Sequence, residues 1–272
     1  MEHHWDENGF LASSADAVAK ALLDQHQSHF QRAADLNRDC HELLFSCKPR
    51  NRDGQQVLVA ALFLRLLEHF QATVILLRRG LVSPAVVMAR TCLEAVFAAR
   101  AIALAPDALR RFILDDQVER LKLANKADQY AYPNLEDLRQ EVAKGLRSDI
   151  KSEIEADGAK RFSTEDMSRL AGMHDWYVTV YPLWSKTAHS RVRDLEQYLD
   201  LDEKGEIRSL KYAPGLNNVS LVLLTTMHAL LLGAEAVGRL FDCDCPASFP
   251  DHEKYLRQHL EAAAVTSGST EA

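Results

Sequence analysis

Apolar residues recur at steps of three and four along most of the 272-residue chain, and this helical period constrains its fold more than any other feature. The segment 85–104 is apolar nearly all round, which is typical of a helix buried on most sides, and the strongly apolar segments 55–77 and 219–241 also predict core helices. Only a short segment near 198–212 breaks the pattern. The sequence therefore predicts an all-α fold, a single bundle of about seven or eight helices.

Serines, prolines and glycines divide the chain into these helices. Ser83 and Pro84 are suited to be the cap and first residue of one helix, and Gly80 is suited to follow the end of the preceding one. In the segment 198–212, two short apolar runs flank Gly205 and could form a small β-hairpin or a loop. The main predicted helices span about 13–47, 55–79, 84–105, 107–130, 135–157, 174–191, 217–241 and 251–263, with a short one at 163–170.

The chain contains no repeat or linker that would divide it. We therefore predict one helical domain over 1–272, with its core at about 13–263 and a disordered tail at 264–272. The net charge of -7 gives no general attraction to nucleic acid or anionic lipid. Charged residues interrupt both 55–77 and 219–241, which favours core helices over membrane spans. With no secretory signal at the start, we expect a cytoplasmic location and no membrane partner.

The cysteine and motif content narrows the possible chemistry. Five cysteines without a Cys-x-x-Cys pair favour reduced thiols. Cys243, Cys245 and His252 lie close in sequence, but their spacing matches no zinc motif, so we predict no metal site and no cofactor. Glu-x-x-His, His-Glu-x-x-His, Gly-x-Ser-x-Gly and Walker motifs are absent from the sequence. These absences exclude several enzyme classes without deciding whether the chain is an enzyme.

A charged pair interrupts the third main helix. Between 85 and 104 the only charged residues are Arg90, Glu94 and Arg100. Arg90 and Glu94 are four residues apart and so share one face of the helix. Such a pair is costly to bury unless both ends find partners. It therefore predicts either an internal ion pair that fixes helix register or the lining of a polar cavity.

A later helix supplies candidate partners for that pair. Tyr181, Ser185 and His189 step by four along one face, and Pro182 between them removes a backbone donor and is expected to kink the helix. If this face meets the charged pair, Glu94 could accept a hydrogen bond from His189 or Ser185. A carboxylate that orients an imidazole is used for proton transfer, but it is equally common around a structural histidine.

Polar residues also interrupt the predicted helices 55–79 and 217–241. These residues are Arg65, Glu68, His69, Thr225, His228, Glu235 and Arg239. Several inward polar groups in one bundle either satisfy one another or surround a ligand. The predicted ligand-binding or polar cluster comprises Arg90, Glu94, Tyr181, Ser185, His189 and His228. Any catalytic residues are expected among Glu94, His189, Arg90 and Ser185.

Two segments carry a family resemblance. SPAVVMARTCLEAVFAARAI, residues 83–102, and YPLWSKTAHS, residues 181–190, together resemble the bacterial family called domain of unknown function 5677. Its members look like helical proteins with an Arg-x-x-x-Glu pair in one helix and a Ser-x-x-x-His pair in a later helix. The two segments of this chain contain these pairs in that order. The resemblance covers roughly residues 20–245. It implies a bacterial protein that binds a protein partner or small ligand, with a stress or defence locus as the expected setting.

A more remote resemblance is to the HEPN-like helical domains of bacterial defence and toxin systems. Some of those resemble metal-independent ribonucleases with an arginine a few residues before a histidine. Arg169 and His174 have such a spacing, although Gly172 lies between them. The alternative prediction is therefore an endoribonuclease with His189 or His174 as its acid and base, and RNA as its partner. A basic group that could contact phosphate comprises Lys186, His189, Arg191 and Arg193.

Overall fold

A computed structural model of the protein describes residues 8–130, 132–157, 162–189 and 192–268. Over these residues the chain is a helical bundle with one small antiparallel hairpin. The prediction of an all-α fold is confirmed. The predicted number of seven or eight helices is too low, because two of the predicted helices are each broken in two and the short helix Val192–Leu195 was not predicted.

The α-helices of the described residues are α1 (Ser14–Gln25), α2 (Gln27–Ser46), α3 (Gly54–Arg78), α4 (Val82–Leu104), α5 (Ala108–Gln129), α6 (Glu136–Ala143), α7 (Leu146–Asp157), α8 (Thr164–Leu170), α9 (His174–Ala188), α10 (Val192–Leu195), α11 (Val219–Phe241) and α12 (Phe249–Gly268). The hairpin consists of β1 (Leu199–Leu201) and β2 (Ile207–Leu210).

The two helices that were predicted as continuous are interrupted at positions where the apolar spacing does not change. The predicted helix at 13–47 ends and restarts at His26, whose backbone angles are φ −116° and ψ 27°. The predicted helix at 135–157 divides into α6 and α7 at Gly145, whose φ of 108° suits glycine and strains other residues. Hydrophobic periodicity continues across both positions, so a reading based on periodicity joins the segments.

The turn between α3 and α4 differs from the prediction at one of its two ends. Gly80 follows α3 with φ 74°, as expected for a glycine past a helix end. A Cβ atom at Gly80 would lie 2.7 Å from Cβ of Pro214, so the close approach also requires glycine. Ser83 is not a cap, since α4 begins one residue earlier and Pro84 lies within its first turn.

The short helix α8 begins with the predicted serine cap. The side chain of Ser163 accepts a hydrogen bond from the backbone N–H of Asp166 at 3.1 Å. The carboxylate of Asp166 accepts one from the backbone N–H of Ser163, also at 3.1 Å. This reciprocal capping box satisfies two otherwise unpaired donors and fixes the direction in which the chain enters α8 and then α9.

The core lies where α3, α4 and α11 pack together, with Phe63, Phe70 and Phe97 fully buried between them. Gly233 of α11 allows the closest approach, because a Cβ atom there would lie 2.5 Å from a methyl carbon of Leu66. The helices α8 and α9 cover one side of α4. They position the face of α9 that carries Tyr181 against the charged pair of α4.

By length and composition alone, α3, α4 and α11 could each cross a membrane. In the bundle, 78% of the most apolar stretch of α11 is buried, whereas the value for α3 is 44%. Burial on most sides agrees with the interpretation of α11 as a core helix. The outer face of α3 stays apolar and exposed, and the expected cytoplasmic location remains a prediction.

The segment predicted as a hairpin or a loop is a hairpin. Leu199 pairs with Leu210 and Leu201 pairs with Ile207, and Gly205 in the turn has φ 80°. At the other end of the chain, α12 continues to Gly268, so part of the predicted tail at 264–272 is helical, and 269–272 lie outside the described residues. The expectation of one domain over 1–272 remains a prediction.

Candidate functional site

The charged pair of α4 meets a tyrosine of α9. Nη2 of Arg90 donates to the hydroxyl of Tyr181 at 2.8 Å and lies 2.9 Å from Oε1 of Glu94. The hydroxyl of Tyr181 donates to that same carboxylate oxygen at 2.8 Å. Arg90, Glu94 and Tyr181 thus form three mutual polar contacts, and we call them the Glu94 cluster.

Aromatic packing holds the tyrosine of the cluster in place. The guanidinium of Arg90 lies over the Tyr181 ring, 5.0 Å from its centroid. Tyr177 stacks on Tyr181 at 5.3 Å, and Phe97 packs against it at 6.3 Å. Burial, followed by the neighbouring carboxylate of Glu94, raises the pKa of Tyr181. The hydroxyl is therefore protonated at neutral pH and is available as a donor.

The Glu94 cluster is incompletely closed. The side chain of Arg90 is 17% exposed and that of Glu94 is 36% exposed. Both polar contacts of Glu94 use Oε1, and Oε2 has no hydrogen-bond partner among the described residues. Nε of Arg90 is buried and also lacks a partner within the described part of the chain. The cluster therefore holds an acceptor that can still receive a donor from outside.

His69 of α3 borders the cluster and carries no charge at neutral pH. Burial, and then the nearby guanidinium of Arg65, lower the pKa of His69, although the carboxylate of Glu94 opposes this effect. Its Nδ1 atom is buried without a partner among the described residues. Arg65 and Glu68 of the same helix are exposed. The charge of the Glu94 cluster is thus set by Arg90 and Glu94 alone.

Ser185 and His189 are placed differently from the expectation. Ser185 is half-buried on α9, one turn after Tyr181, and its side chain has no hydrogen-bond partner among the described residues. His189 directly follows α9 as its C-terminal cap and is exposed, with its backbone N–H donating to the carbonyl of Ser185 at 3.2 Å. The expected hydrogen bond to Glu94 comes from Tyr181 instead. Pro182 lies inside α9, which is continuous across it.

His228, predicted for the same site, belongs to another part of the bundle. It packs edge-on against Trp176, with ring centroids 5.0 Å apart. Burial lowers the pKa of His228, and its Nδ1 is buried without a partner in the described residues. Arg100 lies nearby and donates to the backbone carbonyls of Ala171 and Leu232 at 3.2 and 2.9 Å. These groups link α4, α9 and α11 without touching the Glu94 cluster.

The residues of the predicted ribonuclease site have other partners. Nη2 of Arg169 forms an exposed ion pair with Glu165 of the same helix at 2.7 Å. The ring of His174 stacks on Tyr177 with its centroid 6.0 Å away. No hydrogen bond joins Arg169 to His174 in the described structure. Of the predicted basic group, Arg191 lies outside the described residues, and the side chain of Arg193 is also not described.

A second carboxylate cluster was missed by the sequence analysis. Oδ2 of Asp39 in α2 accepts hydrogen bonds from Ser248 at 2.5 Å and from Nε2 of His252 at 2.9 Å. Oδ1 accepts from Nη2 of Arg38 at 3.0 Å. Asp39 is 4% exposed and His252 is 1% exposed. We call Arg38, Asp39, Ser248 and His252 the Asp39 cluster, and it fixes the start of α12 against α2.

The hydrogen bonds of the Asp39 cluster control its ionisation. Burial by itself would raise the pKa of Asp39, but hydrogen bonds from Ser248, His252 and Arg38 outweigh burial and lower it. A polar residue on the apolar face of α2, between Leu36 and Leu43, is the signal that could have revealed this cluster.

The described residues offer no clear place for a metal ion. Among them, no group of three or more His, Cys, Asp or Glu side chains is arranged to hold one. Nε2 of His252, which lies close in sequence to Cys243 and Cys245, is already bonded to Asp39. The thiol of Cys243 contacts the backbone carbonyl of Phe241 at 3.6 Å.

Sequence comparison places these residues in a known family. The profile of a family described as "Family of unknown function (DUF5677)" matches residues 56–207, which is more than half of the chain. No curated protein and no solved structure matches the chain, and the comparisons give no support to the HEPN-like resemblance. The matched region contains the whole Glu94 cluster together with Ser185 and His189. The chain therefore belongs to the family of unknown function DUF5677.

Proposed function

We propose that the chain is a helical binding protein that holds a small polar ligand, or a polar group of a partner protein, at the Glu94 cluster. The observation that supports this proposal is the free oxygen of Glu94. Arg90 and Tyr181 both contact Oε1, while Oε2 of a carboxylate that is 36% exposed has no partner among the described residues. An ionised carboxylate accepts strong hydrogen bonds, so it favours a ligand that brings a donor.

The charge of the site indicates a neutral ligand. Arg90 and Glu94 cancel each other, and the lowered pKa of His69 keeps that ring uncharged. A neutral site gives little attraction to an ion and instead selects its ligand through the direction of hydrogen bonds. An amide N–H or a hydroxyl group would donate to Oε2 without adding charge. We therefore expect a ligand that presents such a group.

The face of α9 that carries Tyr181 provides the rest of the site. Ser185 lies one turn after Tyr181 and offers a second hydroxyl that has no hydrogen-bond partner among the described residues. Val178 lies one turn before Tyr181 and is 56% exposed. A ligand along this face would meet an apolar group, then Glu94 and Tyr181, then a hydroxyl. This order of groups suits a molecule with a polar centre and one apolar end.

Ligand-observed NMR with small neutral amides and alcohols tests the proposal. Glu94→Gln keeps the size of the side chain, and Arg90 holds the amide oxygen towards itself. The NH2 group then replaces the free acceptor, so a donor ligand should lose its contact. We expect saturation transfer to at least one compound with the wild type and with the control Glu42→Gln, an exposed position on α2. Equal transfer with Glu94→Gln would contradict the assignment of the site.

RNA incubation distinguishes this proposal from the ribonuclease alternative. The wild type is incubated with single-stranded RNA in the presence of EDTA, beside His174→Ala and His189→Ala. We expect no cleavage by any of the three proteins, since Arg169 is engaged by Glu165 and is not joined to His174. Cleavage by the wild type that is lost in either variant would replace the binding proposal with an enzymatic one.

The cytoplasmic location and the stress or defence setting form part of the proposal. The charged residues within the apolar segments support the first, and the family resemblance supports the second. A map of neighbouring genes tests the setting, because toxin, nuclease or transposon genes beside this one are expected. Fractionation of expressing cells tests the location, and recovery in the membrane fraction would contradict it.

A further inference from the structure

The outer face of α3 is an apolar stripe that no other described residue covers. Val57, Leu64 and Ile75 are 44%, 49% and 62% exposed, and the exposed Ala61 lies between the first two. Steps of four, three and eleven place these residues on one side of the helix. At 1.5 Å per residue the stripe is about 27 Å long. An apolar surface of this length is typical of a protein interface.

Two charged residues occupy the middle of this face. Arg65 and Glu68 are exposed and form no ion pair within the described structure. They are one helical turn apart, on either side of the midpoint of α3 (Gly54–Arg78). A positive and a negative charge placed symmetrically about a centre are complementary to the same pair turned by 180°.

From this pattern we propose that two copies of the chain form a two-fold dimer in which their α3 helices pack antiparallel. The arrangement places Arg65 of each copy beside Glu68 of the other, so that two ion pairs flank the axis. It also places Val57 of one copy opposite Ile75 of the second copy. The small side chain of Ala61 allows the two helices to approach closely.

A groove at one end of the stripe extends the interface. Between α2 and α3, a cavity of about 500 Å³ is lined by apolar groups that include Phe30, Phe70, Val74 and Ile75. In the antiparallel arrangement the first turns of the second copy's α3, which carry Val57, lie over this groove. The groove of one copy therefore holds the N-terminal end of α3 from the second copy, and the middle of that same α3 forms the ion pairs.

The charges also distinguish a second copy from a lipid surface. Inside a bilayer, Arg65 and Glu68 at the centre of the stripe would lose water without gaining a partner, at a large cost. Across a two-fold axis each gains an opposite charge. The dimer is argued from exposed residues of α3 and does not depend on the proposed function.

Sedimentation equilibrium of charge-reversal variants tests the dimer. We expect the wild type to sediment as a dimer at micromolar concentration. Arg65→Glu or Glu68→Arg alone brings like charges together at two places and should raise the dissociation constant about tenfold or more. The double variant restores opposite charges and should return to the wild-type value. Lys151→Glu, an exposed reversal on α7, is the control and should have no effect.

Three results would overturn the dimer. They are a monomeric wild type up to the highest soluble concentration, a dimer that neither single reversal weakens, and flotation of the wild type with phosphatidylcholine vesicles in place of dimerisation. Circular dichroism checks that each variant is folded. Leu64→Ser weakens the stripe without changing charge, so it provides a second test if a reversal variant does not fold.

Discussion

The Asp39 and Glu94 clusters use the same chemistry to join helices that are distant in sequence, and they differ in closure. Asp39 joins α2 to α12, both of its oxygens accept hydrogen bonds, and the residue itself is 4% exposed. Glu94 joins α4 to α9 through one oxygen, and its side chain is 36% exposed. The carboxylate of Asp39 has no oxygen left to accept from a ligand, whereas the carboxylate of Glu94 keeps Oε2 without a partner among the described residues.

This difference shows how one carboxylate can stabilise a fold while another remains available for binding. A buried charge must have its hydrogen-bonding capacity filled, because water cannot supply the missing partners. A half-exposed carboxylate can leave one oxygen to solvent at little cost, and a ligand can later displace that solvent. Exposure and unfilled hydrogen-bonding capacity together therefore separate the two roles better than residue identity does.

We expect the largest effect on the free energy of unfolding from Asp39→Asn. The change removes the charge that Ser248, His252 and Arg38 all contact, so we expect a loss of about 3 kcal/mol in the free energy of unfolding. Urea denaturation measures it. The control is Asp24→Asn, an exposed residue of α1 that should change stability little. A loss under about 1 kcal/mol would mean that the Asp39 cluster is not the structural site we describe.

Acid should act on the same residue. The folded-state pKa of Asp39 is lowered, so its stabilising contribution is fully present above the unfolded-state pKa, which is about 3.9. The contribution is lost as the pH falls from there through the folded-state pKa. The stability difference between the wild type and Asp39→Asn should therefore shrink in this range. Urea curves at several acid pH values measure it, and a constant difference would contradict the lowered pKa.

A smaller effect is expected for Tyr181→Phe. The change removes the hydroxyl that accepts from Arg90 and donates to Glu94, but the ion pair between those two residues remains. We expect a loss of about 1 kcal/mol in the free energy of unfolding. Thermal denaturation measures it, with Tyr198→Phe, a more exposed tyrosine, as the control. A loss as large as that of Asp39→Asn would show that the Glu94 cluster is as structural as the Asp39 cluster.

The smallest effect on stability is expected for Glu94→Gln. Since the side chain is partly exposed and keeps an acceptor for Arg90 and Tyr181, the free energy of unfolding should change by less than about 1 kcal/mol. The same variant should lose the ligand signal in NMR. A urea unfolding curve of Glu94→Gln, measured beside the NMR experiment, shows whether the variant affects stability, ligand binding or both. A large loss of stability with unchanged ligand binding would reverse the roles of the two clusters.

The sequence could predict the helices of this fold because burial imposes a local period. The segments that became α3, α4, α9 and α11 were placed to within a few residues by apolar spacing and by terminal glycine and proline residues. The break at His26 could not be predicted, because the apolar spacing continues through it. That break depends on how α1 and α2 pack, and packing is not encoded in a local pattern.

The candidate site was only partly predictable for a similar reason. A charged pair in an apolar helix is a local anomaly, so Arg90 and Glu94 stood out. Their partner depends on helix phase and side-chain length, and Tyr181 reaches the pair whereas the shorter Ser185 on the same face does not. Asp39 and His252 are separated by more than 200 positions, and no local pattern connects them.

The place of α11 has a practical consequence for work on this family. The family match ends at residue 207, before α11. Gly233 of α11 packs against Leu66 in the core of the bundle. An expression fragment limited to residues 56–207 would keep the apolar inner faces of α3 and α4 but would lack α11, which covers them. We would anticipate inclusion bodies from such a fragment, so recombinant studies should carry the chain through to at least the last turn of α11.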